Sequence, residues 1–283
     1  MELSDSQNQT PERSGVEEFP SDSRQARQTA RRQLIAEAVM AEGTMRIEDL
    51  TDRFGISLMT VHRDLDDLES RGLLRKTRGV VSAAPTSYVE SSDVYRSTRQ
   101  SVEKKAIAAA AATFVEPGQA IFFDDSTTVL QMVPHISARV PLTAITNSLT
   151  LMNALRGVSD VTLLGLGGQF HNWCNAFVGP VTTAEIRRLR ADQVFLSVSA
   201  ITDDMVFHQS PDMVEAKRAM FECARQRILL VDHTKFERRA LHGMCRLDEF
   251  DAVIVDANMP SADVLKLKSR GVNVVVAPWQ STT

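Results

Sequence analysis

A chain of 283 residues, 43% hydrophobic and 24% charged, is an ordinary globular polypeptide; its patterning suits one large and one small unit better than a single domain. No run of about 18 apolar residues occurs, and the N-terminus has neither a basic nor an apolar leader pattern, so a cytoplasmic protein without membrane contact is expected. Cys174, Cys223 and Cys245 are odd in number and widely spaced, which argues against a disulfide framework or a structural zinc; no metal and no cofactor is expected.

The net charge of −4 divides into −5 over residues 1–23, +2 over 24–81 and −1 over 82–283. Nucleic-acid binding survives this balance, because phosphate contacts depend on the face shown to the duplex.

Residues 1–23 are rich in Ser, Gln, Glu and Pro and poor in large apolar side chains, so a disordered tail is expected. A compact unit follows over 24–81. Leu34, Ile35, Ala38 and Val39 mark a helix that ends around Glu42-Gly43. Ile47, Leu50 and Phe54 line a second, short helix, and Gly55 past its end suits a positive φ. Ser57 reads as the N-cap of a third helix with Val61, Leu65 and Leu68 on its apolar side, closed by Arg71-Gly72. Leu73 to Arg75 and Val80-Val81 then read as two short strands turning around Arg78-Gly79.

A polar stretch over 82–101, with Pro85 and Ser87, Ser91, Ser92 and Ser97, reads as a linker and puts a boundary near residue 90. From 102 to 283 apolar strands alternate with helices, the pattern of a mostly parallel sheet covered on both faces. The predicted strands are Ala120 to Phe123, Leu142 to Thr146, Val161 to Leu164, Gln193 to Val198, Arg227 to Val231, Ala252 to Val255 and Val272 to Val276. Helices are predicted at Val102 to Phe114, Leu149 to Leu155, Val181 to Leu189, Val214 to Cys223 and Ser261 to Arg270.

Three short helices followed by a small hairpin form the layout of a winged helix-turn-helix, whose third helix enters the major groove. On a helical wheel of the third helix, Leu65 and Leu68 fall on the same side as Val61, while Met59 and Arg63 fall on the opposite side, away from the core. Thr60 and His62 flank them, so the outward face offers a guanidinium for guanine and apolar groups for thymine methyls. Arg75, Lys76 and Arg78 put three cations on the wing, where they would hold phosphate without reading sequence. Periodicity alone favours a small three-helix docking module whose basic residues are merely solvated.

The segment Arg32 to Val81 resembles the helix-turn-helix of the DeoR family of bacterial regulators at Ser57, Thr60, Arg63, Asp64, Leu65, Leu68, Glu69, Gly72, Leu74, Arg75 and Gly79. It departs from the family where His62 replaces an Arg and Thr77-Arg78 replaces His-Gly. The resemblance continues through EKKAIA (103–108), FFDDSTT, ITNS, LGGQF, Asp192 to Phe195, EAKRAM (215–220) and LVDHTKF.

In the second unit the junction IFFDDSTTVLQM gathers hydroxyls and N–H groups at a helix start, which could hold an anion but is more often a cap. Further loops follow strands at Thr146-Asn147-Ser148, Gly167-Gly168-Gln169 and Asp232 to Phe236, where Lys235 could pair with a phosphate. The family resemblance implies a sensor with a fold like ribose-phosphate isomerase, binding a sugar phosphate or related metabolite. It implies Asp124, Thr127, Thr128, Asn147, Ser148, Gly168, Asp232 and Lys235 around that ligand, with Ser126 beside them in the place of a family glycine. Asp125 occupies the variable position next to it, and an inward carboxylate there would repel phosphate. The glycines common in the family are also missing over Ser197 to Phe207.

The expected protein is thus a repressor of a sugar or polyol operon, contacting operator DNA through Ser57, Met59, Thr60, His62, Arg63, Arg75, Lys76 and Arg78 as a homodimer or homotetramer. The rival is an isomerase-like enzyme with an accessory DNA-binding module. It ranks lower, because a fold hosts many functions and an isomerase has no use for such a module.

Overall fold

A computed structural model of the chain describes residues 24–42, 44–70, 74–83 and 93–279. The expected tail, Gly43, the Arg71-Gly72 helix end, Leu73 and residues 84–92 of the expected linker lie outside the described residues. The described residues form two compact units, one before residue 86 and one after it.

The first unit contains α1 (Arg24–Glu42), β1 (Thr44–Arg46), α2 (Ile47–Phe54), α3 (Leu58–Ser70), β2 (Leu74–Thr77) and β3 (Val80–Ala83). Gly55 ends α2 at φ 59°, left-handed backbone in which a side chain would be strained. Ser57 Oγ accepts the Thr60 N–H at 3.3 Å and so supplies the cap of α3. Between β2 and β3, Arg78 and Gly79 both have positive φ (47° and 79°), the two-residue turn whose twist matches an antiparallel pair. β1 was not foreseen; three residues are too few to show an alternation, yet Met45 pairs with Val81 and sets the sheet order β1-β3-β2.

Ile35, Val39, Leu50, Phe54, Val61, Leu65, Leu74 and Val81 are buried together as the core of this unit. Beneath them Asp64 of α3 is fully buried and accepts from Arg31 Nε at 2.6 Å and Arg32 Nε at 2.9 Å, both on α1. Its wheel position, next to Leu65 and Leu68, forces the carboxylate inward, and the two guanidiniums compensate the lost hydration.

The second unit opens with α4 (Asp93–Thr98), inside the expected linker, and continues with α5 (Ser101–Ala112), β4 (Ala120–Phe123), α6 (Val133–Ile136), β5 (Leu142–Thr146), α7 (Leu149–Leu155), β6 (Val161–Gly165), β7 (Gln169–His171) and β8 (Ala176–Val178). It goes on through α8 (Pro180–Arg187), β9 (Ala191–Leu196), β10 (Ala200–Thr202), β11 (Met205–His208), α9 (Pro211–Glu222), β12 (Ala224–Val231), β13 (His242–Arg246), β14 (Ala252–Val255), α10 (Ser261–Ser269) and β15 (Val274–Val276). The seven predicted strands, with ends shifted by up to three residues, form one parallel sheet in the order β15-β14-β12-β9-β4-β5-β6.

Alternation along these strands feeds two cores. Ile121, Phe123, Phe195, Ile228 and Leu230 pack with α5, α6 and α7 on one face. Phe122, Val194, Leu196, Leu229 and Val231 pack with α8, α9 and α10 on the other. The short strands β7-β8 and β10-β11-β13 form two further small sheets. At the β10–β11 turn, Asp203 and Asp204 take φ 51° and 60°, so two aspartates supply the left-handed backbone of this turn. Among the described residues no helix is long and apolar enough to cross a membrane.

Removing the Asp64 carboxylate strands two cations that are only partly exposed. Asp64→Ala should therefore lower the stability of the first unit by about 3 kcal/mol, read as an earlier denaturant midpoint at unchanged slope. A loss under about 0.5 kcal/mol would mean the clasp is dispensable.

Candidate DNA-contacting surface and effector pocket

On α3, Met59 is 74% exposed and His62 and Arg63 are exposed, with Thr60 half-buried beside them and Ser57 exposed at the cap. Val61, Leu65 and Leu68 on the opposite side are buried, so the helical-wheel expectation for this helix matches the burial. On the wing, Arg75 and Arg78 are exposed. Lys76 differs from its neighbours. Its Nζ donates to the Asp66 carboxylate, and its backbone N–H donates to Glu69 Oε1 at 2.8 Å. That side chain ties the wing to α3.

In the second unit the chain leaves β4 in one direction for β5 and β6, and the other side of β4 is taken by β9. This reversal is the topological switch point of a parallel sheet, where the loops at the strand ends diverge and open a crevice. The two loops meet there: Asp124 N–H donates to the Phe195 carbonyl at 3.2 Å, and Ser197 N–H donates to Asp124 Oδ2 at 2.7 Å. Lys217 of α9 reaches the same point and donates to Asp124 at 2.6 Å and to Asp125 at 3.0 Å, all three side chains being almost wholly buried. Burial alone would lower the Lys217 amine, but Asp124 and Asp125 outweigh it and hold it above its ordinary value. Burial likewise pushes the Asp125 carboxyl up, and Lys217 outweighs it and holds the group ionised.

Above this triad lies a pocket. Ser126, Thr127 and Thr128 line it from the β4 loop, Ser197 and Ser199 from the β9 loop, and Asp232 and Lys235 from the loop after β12. His208 of β11, Lys104 of α5, Arg96 of α4, Arg99 and Arg238 complete the polar wall. Lys104 donates to Thr127 Oγ1 at 3.1 Å and to the Arg96 carbonyl. Its burial, with Lys235 close by, lowers the amine to about 7. His208 Nδ1 accepts the Ser210 N–H at 3.2 Å, which leaves Nε2 to carry the ring proton. Among the described residues here the basic side chains Lys104, Lys217, Lys235, Arg96, Arg99 and Arg238 outnumber the acidic Asp124, Asp125 and Asp232, with the Lys104 amine only partly charged near neutrality.

Five of the expected effector residues, Ser126, Thr127, Thr128, Asp232 and Lys235, thus converge, with Asp124 directly beneath. Asn147, Ser148 and Gly168, which the resemblance also put around the ligand, are not among the residues that line this pocket. They follow β5 and β6, beyond the β4 side of the switch point, and hold the β7–β8 hairpin instead. Asn147 Nδ2 donates to the Phe177 carbonyl at 2.8 Å, and Ser148 caps α7. Gly168, at φ 146°, is so close to Thr182 that an added Cβ would lie 2.0 Å from its hydroxyl.

Lys104 and Lys217 were missed, although a signal existed. Lys104 precedes Ile107, Ala108 and Ala111 at helical spacing, and Lys217 sits between Met213 and Met220 on the same stripe. A lysine on an apolar stripe has to find a buried partner, and that inference could have been made.

A helix-turn-helix with a reading face, joined to an α/β unit with a charged pocket, defines a ligand-responsive transcription regulator. Residues 31–86 match the model of the DeoR-like helix-turn-helix domain and residues 99–257 that of the DeoR C-terminal sensor domain. The chain belongs to the DeoR family of transcriptional regulators. It is 32% identical to an uncharacterised helix-turn-helix regulator of Escherichia coli over 87% of this chain and 97% of that one. It is also 32% identical to the lactose phosphotransferase system repressor of Staphylococcus aureus over 78% of this chain and 89% of that one, and 28% identical to a transcriptional repressor of Agrobacterium fabrum over 79% and 87%. All three are named as regulators or repressors. Among solved structures, ribose 5-phosphate isomerase A of Methanocaldococcus jannaschii aligns with 47% of this chain and about half (53%) of its own, at 14% identity and TM-score 0.35, a distant likeness with no bearing on activity.

The triad should respond unequally to substitution. Asp124 accepts from Ser126 N–H at 2.9 Å as well as from Ser197 and Lys217, so Asp124→Ala should cost about 3–5 kcal/mol. Asp125→Ala leaves Lys217 paired with Asp124 and should cost about 1–2 kcal/mol in the same denaturant titration. Equal losses would show that the two carboxylates are interchangeable.

Proposed function

We propose that the chain represses genes for the use of a sugar or polyol, binding operator DNA through α3 and the β2–β3 wing and releasing it when a sugar phosphate enters the cationic pocket. The surplus of basic over acidic side chains around this pocket carries the reading. Such an excess in a partly desolvated crevice favours a compact dianion over a neutral sugar, and the hydroxyls of Ser126, Thr127 and Thr128 suit its oxygens. The likeness to the lactose phosphotransferase system repressor of Staphylococcus aureus supports the sugar class.

Repression follows from linkage. A symmetric homodimer or homotetramer puts two α3 helices on half-sites about 34–36 Å apart or a multiple of that, and the effector favours a state that spaces them badly. Ser57, Met59, Thr60, His62 and Arg63 form the reading face in this proposal, and Arg75 and Arg78 the phosphate contacts.

Two measurements test it. On operator DNA, Arg63→Ala should cost about 1–3 kcal/mol and blur discrimination at one base pair, whereas Arg75→Ala or Arg78→Ala should weaken all sequences alike and reduce the salt slope by about one. Equal losses on operator and random DNA for Arg63→Ala would remove it from base reading.

The pocket predicts a pH dependence. A dianion stabilises the charged form of Lys104, so binding near pH 8 should take up a fraction of a proton approaching one, seen by calorimetry in two buffers of different ionisation heat. Affinity for phosphorylated sugars should therefore fall as pH rises from about 7.5 to 9, where the phosphate itself, with its second pKa near 6, no longer titrates. Lys104→Met should flatten that slope, and parent sugars without phosphate should bind weakly throughout. A stronger response to the parent sugars would exclude the phosphate reading.

A further inference from the structure

We propose that Arg96 and Arg99 bind the anionic group of the effector directly, so that the segment leading from the DNA-binding unit itself forms a ligand-gripping wall of the pocket. The proposal rests on the reading of that pocket as the effector site, and it adds the residues by which occupancy reaches the connector. In the chain β3 ends at Ala83 and α4 begins at Asp93, so α4 is the first helix of the sensor unit that the connection reaches.

Three neighbouring residues of this segment, Arg96, Arg99 and Gln100, line the pocket together with Ser126, Thr127 and Lys235. Two guanidiniums within four residues, both always charged, offer the planar double donors that match a phosphate or carboxylate. The pocket is narrow at its centre, so a ligand that enters lies against these walls.

The walls are held in different ways. The loops after β4 and β9 are bound to each other by the Asp124–Phe195 and Ser197–Asp124 hydrogen bonds and to α9 by Lys217. α4 is a single short helix. Asp93 N–H donates to the Trp173 carbonyl at 2.9 Å, and the Arg96 guanidinium stands 6.0 Å from the Trp173 ring. Its far end turns through Gln100 at φ 49°, a left-handed conformation that a glutamine holds at some cost.

Lys104 connects wall and floor, since its amine donates both to the Arg96 carbonyl and to Thr127 Oγ1. An anion bound among Arg96, Arg99 and Lys104 changes the hold on α4 at the same moment as it fills the pocket. Ligand and connector are then coupled through shared side chains, and the coupling strength equals the difference in effector affinity between the two positions of α4.

The test uses the full chain, with inorganic phosphate and ribose 5-phosphate as probes and sodium chloride as a control for ionic strength. Calorimetry should show that Arg96→Gln and the more exposed Arg99→Gln each weaken phosphate binding about tenfold, with Arg96→Lys recovering part of the loss. Amide exchange over residues 93–104 should slow on phosphate addition in the wild type and not in Arg99→Gln, and release of operator DNA should need a correspondingly higher concentration of ribose 5-phosphate. If both Arg variants bind phosphate as the wild type does while Lys235→Gln does not, the role of the connector is refuted and the pocket stands. If Lys235→Gln is also without effect, or the wild type binds neither probe, the pocket reading falls and this inference with it.

Discussion

Two adjacent carboxylates at the end of a central parallel strand, both out of water, would repel each other and the sheet's own carbonyl ends. Lys217 resolves that conflict by reaching from α9 to Asp124 and Asp125 together. The order of the sensor unit follows from it. With its charge met, Asp124 can accept the N–H groups of Ser126 and Ser197, which fixes the loops after β4 and β9 against each other. The crevice between those loops is the one that the reversed strand order opens, so one buried ion cluster defines the floor of the pocket.

The first unit uses a buried acid in the same way. Asp64 draws Arg31 and Arg32 of α1 beneath α3 and holds the helix at a set angle, while its opposite side keeps Met59, His62 and Arg63 in solvent. In both units the carboxylate is buried, the cation comes from another helix, and the exposed face beyond it is left for a partner. Pairs of this kind add little net stability over an apolar core, but they penalise alternative packings steeply, because any displacement strands a charge.

The three-helix-plus-wing layout and the seven central strands were legible from the sequence, because apolar periodicity reports burial and burial makes these elements. What escaped it was short or depended on distant partners. β1, β7, β8 and β10 have three residues each, too few for an alternation to emerge. α4 looked like linker because Ser91, Ser92 and Ser97 dilute its pattern. Lys76 read as a wing cation since nothing local reveals that Asp66 and Glu69, a turn apart on α3, lie beside β2. Asn147, Ser148 and Gly168 were assigned to the ligand through resemblance and strand-end position; strand order, invisible in sequence, sends them to the β7–β8 hairpin.

The departures at Asp125 and Ser126 illustrate how a local reading of charge can mislead. Taken alone, an added carboxylate beside an anion site argues for a less charged ligand. In the structure the Asp125 charge is turned toward Lys217 and shared with Asp124, so it is neutralised at the floor and does not project into the crevice. Ser126 is absent from the positive-φ positions, and its Oγ accepts the Val129 N–H at 3.1 Å, so the Cβ costs no strain and the hydroxyl caps the turn that follows. The balance left facing the pocket is set by Arg96, Arg99, Lys104, Lys235 and Arg238 against Asp232. Asp125 and Ser126 thus change the floor of this pocket and leave the basic side chains of its walls in place.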